Sequence, residues 1–264
     1  MSASIDDRES DAARIARFYD GWSPTFVAAA GHTFQSGLVK AQADAHEDPD
    51  ASTRLCAAQA GMRDGEQVID AGCGVGGPAC ALLQAYPRAT LVGVTLSPVQ
   101  AALAQQLALK RRVADRAQFV VGDYHALPVD PASCDRVFFF ECTGYSPDPA
   151  RLYREAARVL RPGGTVYVKD VFAKPPPWTE AEAAKLRAFD ALWACVRTGT
   201  LDEAASAAGA AGLEVRTRVY PHVGTARFLG AMMGDDGRPN AFGRGFLDTL
   251  APIVFGELIG EKTP

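Results

Sequence analysis

Two short stretches of the chain bring together residue types able to do chemistry. In "VIDAGCGVGGPA", residues 68–79, an acid, Asp70, stands just before the closely spaced Gly72, Gly74 and Gly76. Residues without a Cβ let a ligand approach the backbone and adopt dihedrals closed to other side chains. The loop lacks the lysine and hydroxyl residue of a Walker motif, which weakens a nucleoside triphosphate reading. A pyrophosphate would collide with the charge of Asp70, and the next strand ends in "GVTLSP" without the acid that a dinucleotide fold places there. A cationic or zwitterionic cofactor suits this loop better. In "RVFFFECTGYSP", residues 136–147, three phenylalanines run straight into Glu141. An isolated buried charge is expensive. Either the strand ends there and Glu141 reaches water or caps the following turn, or the carboxylate is held at the edge of an apolar pocket because the reaction needs negative charge in it.

Positioning these residues takes a regular frame, and the hydrophobic pattern supplies one. Apolar runs predict strands at 67–70, 90–93, 117–121, 135–140 and 165–169, alternating with helices at 77–85, 98–110 and 149–160, the last stopped by "RPGG". This alternation implies an α/β fold with a largely parallel sheet covered by helices on both faces and a ligand site at one strand edge. Residues 11–31 read as a short helix leading into the apolar and aromatic segment "FYDGWSPTFVAAAG", which shows no strand alternation, and residues 51–62 are helix-like. After Asp170 comes a proline-stiffened link, "VFAKPPPW", then an amphipathic helix with Leu186, Phe189, Leu192, Trp193 and Val196 on its apolar side. A second helix at 200–210 leads into a candidate strand, "LEVRTRVY". The apolar segments "TARFLGAMM" and "FLDTLAPIVFGELI" are predicted to be helical, and no final antiparallel strand is placed. The expected organisation is an N-terminal helical cap over residues 1–60 and a ligand-binding domain over 61–264, with a cap insertion at 172–210.

Composition narrows the function. A chain of 264 residues with 48% hydrophobic content can bury a full core. A net charge of -4 argues against a general nucleic-acid binder. The six cysteines form no CxxC pair and no metal-ligand spacing, so free thiols in a reducing compartment are expected. The N-terminus carries acids where a signal peptide needs a basic and then an apolar run, and no run of about 18 apolar residues occurs. The expectation is a cytoplasmic protein without stable membrane insertion that acts on a small molecule, with homo-oligomerisation left open.

The chain resembles the class I S-adenosylmethionine-dependent methyltransferases through "VIDAGCGVGG", "VVGDYHALP", "FFFECTGYSP" and "VLRPGGTVYVKD", which follow one another over about residues 66–171. The resemblance implies a Rossmann-like sheet with S-adenosylmethionine as cofactor. It implies that Asp70, Ala71, Gly72, Gly74 and Gly76 cradle the methionine part, and that Asp123 and Tyr124 receive the adenine, with His125 and Phe140 completing the pocket. Most of the superfamily has an acid for the ribose where this chain has Thr95. The form "GVTLSPVQ" is similar to that of enzymes methylating alkene carbons, the sterol, prenyl diphosphate and cyclopropane-type C-methyltransferases, so Thr95, Leu96 and Gln100 take the ribose side. "FYDGWSPTFVAAAGHTFQSG" resembles the cap of the same enzymes, which implies that Tyr19 lies near the methyl donor and that the "HTFQSG" turn, with His32, closes over the site.

Methylation of an alkene leaves positive charge on a neighbouring carbon. It calls for a dry, aromatic-lined cavity and a fixed negative group. In the resemblance Glu141 is that catalytic group, as a base or as an electrostatic stabiliser, with Tyr19 beside it. On a strand Phe138 and Phe140 face one side and Phe139 the other, so all three cannot line the cavity. Cys142 reads as structural, because alkene methylation needs no covalent step. Tyr145, Trp178 and Trp193 are candidate acceptor contacts. Lys169, Lys174, Lys185, Arg187 and Arg197 are candidates to meet a diphosphate, although a solvated helix face has the same composition. The expected acceptor is a prenyl or isopentenyl diphosphate, with Mg²⁺ if the diphosphate is present. A sterol-like acceptor is the alternative, as is O- or N-methylation, which would want a base such as His32 or His125.

Overall fold

The computed structural model describes residues 9–33, 48, 50–220, 232–234 and 236–263. Five strands, β1 (Gln67–Ala71), β2 (Thr90–Thr95), β3 (Ala117–Val121), β4 (Cys134–Phe140) and β5 (Leu160–Ala173), pair in parallel. Two further strands, β6 (Leu213–Tyr220) and β7 (Ile253–Lys262), complete a seven-stranded sheet of order β3-β2-β1-β4-β5-β7-β6, in which β7 runs antiparallel to both neighbours. Apart from the edge strand β3, the parallel strands are largely buried on both faces, which is why they read as near-continuous apolar runs.

One face of the sheet is covered by α5 (Pro149–Val159) and α7 (Leu201–Ala210), whose Leu152, Ala156, Ala204 and Ala208 pack on Val137, Phe139 and Val168. The other is covered by α2 (Ala51–Gln59), α3 (Gly77–Ala85) and α4 (Pro98–Lys110), against Phe138, Phe140 and Tyr167. The expected division of the phenylalanines holds: Phe138 and Phe140 stack with centroids 5.2 Å apart, and Phe139 enters the opposite core.

Three helices roof the C-terminal strand ends. Helix α1 (Asp11–Ala30) is tied to the end of the second roof helix by Arg14, which donates to the Ala194 carbonyl at 3.0 Å, and to the sheet layer by Gln100, which donates to Ser23 at 3.1 Å. Its Asp20 also accepts from Ser97 and from the Val99 amide, at the start of α4. Helix α6 (Glu180–Trp193), opened by a Thr179–Glu182 capping box, packs with α8 (Ala241–Thr249) around Leu186, Phe189, Phe246 and Phe255. The 172–210 stretch is therefore divided, with α6 on the roof and α7 on the sheet itself.

The expectation that "FLDTLAPIVFGELI" is helical throughout is corrected. Residues 241–249 are α8, but 253–262 form β7, which inserts between β5 and β6 over nine paired residues on one side and eight on the other. Buried on both faces along most of its length, β7 lacks the alternation that marks a half-exposed strand. Most of "TARFLGAMM" and of the "HTFQSG" turn lies outside the described residues.

Candidate active site

At the C-terminal ends of β1, β2 and β4 a cavity opens between the glycine loop and α1. It is lined by Asp70, Gly72, Cys73, Gly74, Thr95, Leu96, Gln100, Tyr124, Phe140 and Glu141, with Tyr19 and His32 from the roof. The glycines have specific tasks. A Cβ on Gly72, which sits at φ +80°, would stand 2.7 Å from Cys142 Sγ, and one on Gly76 would stand 2.8 Å from Ala104. A Cβ on Gly74 would meet only Gln100, at 3.9 Å, because it faces the cavity.

Asp70 is fully buried, and neither carboxylate oxygen has a hydrogen-bond partner of full geometry. Burial pushes its pKa up to about 7, offset only in part by the nearby Ala79 amide. A group in this position is satisfied by a ligand carrying positive charge or donor N–H groups, and a phosphate would make matters worse. Asp70 and the loop thus fit the zwitterionic methionine part of S-adenosylmethionine. At the two residues expected to take the ribose, Thr95 donates to Gln100 Oε1 at 2.7 Å and both are buried, so the pair is preorganised by α4.

The remaining cofactor-side residues are distributed less evenly. Tyr124 lines the cavity and donates to the Cys142 carbonyl at 3.0 Å. Asp123 is half exposed and accepts from the amide and Nδ1 of His125, at 2.9 and 2.7 Å, without entering the described lining. His125 is buried with its second nitrogen 2.7 Å from Ser146 Oγ, so both ring nitrogens are engaged away from the cavity. Ala71 and Gly76 shape the loop without lining the cavity among the described residues.

A second cavity lies behind the first, lined by Phe26, Phe189, Trp193, Phe246 and Phe255 together with Asp170, Cys195 and Thr198. Tyr19, Glu141 and Tyr145 belong to both linings, so the two cavities meet at these three side chains. The Tyr19 and Tyr145 hydroxyls touch, their rings meet edge to face at 5.6 Å, and burial holds both phenols protonated by pushing their pKa values up.

Glu141 answers the question raised by its sequence neighbourhood. It follows β4 with φ +52°, a left-handed conformation disfavoured for a residue with a Cβ. Lys169 on β5 holds it at two points: the Lys169 carbonyl accepts the Glu141 amide at 2.8 Å, and Lys169 Nζ contacts Glu141 Oε1 at 2.6 Å. The lysine is 1% exposed and the glutamate 15%, so the carboxylate is a paired, nearly dry charge at the junction. Cys142 sits beneath it with Sγ donating to the Ala71 carbonyl at 3.0 Å, in keeping with a structural role.

The structure separates the candidate acceptor contacts. Tyr145 and Trp193 line the second cavity, whereas His32 lines the first. Lys174, Trp178 and Arg197 line neither among the described residues. Lys174 Nζ donates to the Ala251 carbonyl, Trp178 Nε1 donates to the Lys174 carbonyl at 2.7 Å, and Arg197 is paired with Glu203 at 3.1 Å through both terminal nitrogens. Lys169 reaches the cavity junction but is paired there with Glu141, and Arg187 is paired with Glu180 on the outer face of α6. The five basic candidates are therefore not gathered in one patch in the linings of the two cavities. Asp170, Ser23 and Asp20 carry no sequence signal of their places here. Asp170 follows the strand residue Lys169 and lines the second cavity, and nothing local in the sequence distinguishes it from a turn residue.

Fold and site define a class I S-adenosylmethionine-dependent methyltransferase, and the chain belongs to that family. A family model described as a methyltransferase domain matches residues 69–168. The chain is 33% identical over 204 residues to the 27-O-demethylrifamycin SV methyltransferase of Amycolatopsis mediterranei, over 76% of this chain and 73% of that protein. It is 33% identical over 154 residues to the sterol 24-C-methyltransferase of Pneumocystis carinii, 57% of this chain but only 38% of the sterol enzyme, so it spans well under half of that relative. In structure it is similar to geranyl diphosphate C-methyltransferase from Streptomyces coelicolor A3(2), with a TM-score of 0.74 over 97% of this chain and 99% of that one at 18% identity. No helix among the described residues is long and apolar enough to cross a membrane, and no group of three metal-ligating side chains is present among them.

Proposed function

We propose that this enzyme transfers the methyl group of S-adenosylmethionine to an alkene carbon of a small apolar isoprenoid. The observation that carries the reading is the junction of the two cavities: a lysine-paired Glu141 and two neutral tyrosines stand between the cofactor loop and a chamber walled by Phe26, Phe189, Trp193, Phe246 and Phe255. S-adenosylmethionine, when bound, supplies an electrophilic methyl group on a sulfonium. Asp70, Gly72, Gly74, Thr95 and Gln100 hold it, and the aromatic chamber keeps water from the cation that forms on the acceptor. The ring faces and the Glu141 carboxylate stabilise that cation, which is charge that exists in the transition state and not in the neutral alkene.

The chamber lining favours an uncharged reacting end. Among the described residues it holds no lysine or arginine, so a diphosphate would have to lie beyond that lining, with Mg²⁺ as its counter-charge. Methylation of a heteroatom is the second reading, supported by the demethylrifamycin relative. Against it, the described chamber lining holds no histidine to deprotonate a hydroxyl, and His125 is held between Asp123 and Ser146. The test is a screen for S-adenosylhomocysteine formation with sterols, apolar isoprenoid alkenes, and isopentenyl, geranyl and farnesyl diphosphates, each with and without Mg²⁺. Turnover with uncharged alkenes supports the proposed acceptor, and activity only with a diphosphate plus Mg²⁺ moves it to the prenyl diphosphate class. Turnover only with hydroxyl or amine acceptors rejects carbon methylation.

A further inference from the structure

The acceptor chamber contains two carboxylates in unlike surroundings. Glu141 is ion-paired with the buried ammonium of Lys169, and a proton arriving on Glu141 would break that pair. Lys169 also stands opposite Glu257, a residue 2% exposed, in the β5–β7 register. Glu141 is thus held by a buried lysine that stands between it and a second buried carboxylate. Asp170, by contrast, accepts hydrogen bonds from neutral donors. The Thr143 amide and hydroxyl each donate to Oδ2 at 2.7 Å, and the Val171 amide donates to Oδ1 at 2.7 Å. Each carboxylate oxygen has room for two hydrogen bonds, so Oδ1 keeps acceptor capacity. Asp170 is 5% exposed and shares the chamber wall with Tyr19, Phe26, Phe189 and Trp193.

From this asymmetry we infer that Asp170, rather than Glu141, is the proton acceptor of the chamber, with Glu141 staying ionised as the counter-charge of the cation. This rests on the alkene reading above. The π pair of the acceptor forms the new C–CH₃ bond as the S–CH₃ bond breaks, its pair staying on sulfur. A C–H bond beside the resulting cation then breaks, its electron pair restores a double bond, and the proton goes to Asp170 Oδ1 and later to water. Two carboxylates whose environments differ in this way divide naturally into a charge holder and a proton acceptor. Burial pushes the Asp170 pKa up to about 6, the Thr143 and Val171 hydrogen bonds pull it back, and the charge of Glu141 raises it again. The other titratable groups around it are Tyr124, Cys142, Tyr145, Tyr153 and Cys195, all kept protonated by burial.

A cation of fixed charge tests this whichever acceptor the enzyme uses. Hexyltrimethylammonium, titrated calorimetrically into the protein saturated with S-adenosylhomocysteine between pH 5 and 8, mimics the charged carbon. Wild-type affinity should weaken as pH falls through about 6, approaching tenfold per pH unit for one titrating group. Asp170→Asn should abolish this pH dependence, and Glu141→Gln should weaken binding at every pH while preserving it. Thr143→Val, which removes one donor to Asp170, should move the transition to higher pH and covers the case in which Asp170→Asn does not fold. Four results overturn the inference: no saturable binding to folded wild type, unchanged pH dependence in Asp170→Asn, an unmoved transition in Thr143→Val, or loss of pH dependence in Glu141→Gln. Failure of the alkene reading is separate, because it is read from the position of the methyl group in the product.

Discussion

The cofactor cavity and the acceptor chamber share three side chains but are built by different means. The first is made by turns between consecutive parallel elements: the loop from β1 to α3, the Thr95–Gln100 turn from β2 to α4, and Tyr124 after β3. These pieces are local in sequence and rest on the sheet, and α1 closes them from above with Tyr19. The second is assembled from α1, β5, α6, α8 and β7, segments more than two hundred residues apart along the chain. The difference shows how the family can keep one donor and change its acceptor, since the chamber walls can vary without disturbing the glycine loop. It also separates the carboxylates, with Asp70 in the first lining, Asp170 in the second and Glu141 in both.

Substitutions at the two places should have unlike signatures. The largest effect is expected at Gly72. Gly72→Val places a branched side chain at φ +80° against Cys142 and should abolish cofactor binding and lower the unfolding temperature, as measured by calorimetry. Next is Glu141→Gln on the acceptor side. It should leave S-adenosylmethionine affinity nearly intact and reduce kcat roughly a hundredfold, corresponding to about 3 kcal/mol of transition-state stabilisation. Equal losses of binding and turnover would place Glu141 in the cofactor site instead.

Asp70 gives a smaller effect with a defined pH dependence. Its carboxyl is raised to about 7 before the cofactor binds, so binding of a cationic ligand should release a proton near neutrality. Affinity should fall as pH drops below about 7, and the apparent binding enthalpy should depend on the ionisation enthalpy of the buffer. Asp70→Asn should weaken binding and remove that buffer dependence. If it binds as wild type does, the loop has been assigned the wrong ligand.

A last effect concerns the stability of the free protein. Asp70 and Asp170 are raised from 3.8 to about 7 and about 6, so the folded state keeps protons that the unfolded chain releases. Both contribute stability that is fully present below pH 4 and is lost as pH rises through about 6 to 7. Between those limits each group changes stability by at most about 1.4 kcal/mol per pH unit. Urea midpoints should therefore decline from pH 5 to 8 without cofactor, and Asp70→Asn should flatten the curve.

What could be read from the sequence follows the same division. The glycine loop and the parallel strands were legible because each is a short-range pattern of turn residues and apolar runs, whereas Thr95 and Gln100 were singled out only through the family resemblance. Strand β7 was not, because a central strand buried on both faces has the apolar content of a buried helix, and its partners β5 and β6 lie elsewhere in the sequence. Glu141 was visible as an anomaly, a charge after three phenylalanines, but its pairing with Lys169 depends on the β4–β5 register. That register turned a lysine read as a diphosphate contact into the residue that holds Glu141 in place. Asp170 had no local signal at all, because its role comes from helices that approach it from both ends of the chain.

The central claim is that the aromatic chamber and the lysine-paired Glu141 serve methyl transfer to carbon. It is tested most directly by turnover of S-adenosylmethionine labelled with ¹³C in the methyl group, followed by NMR of the product formed from whichever acceptor the screen selects. The account predicts a ¹³C-methyl bonded to carbon, formed by wild type and roughly a hundredfold more slowly by Glu141→Gln. A ¹³C-methyl bonded to oxygen or nitrogen, formed equally fast by both, would contradict it.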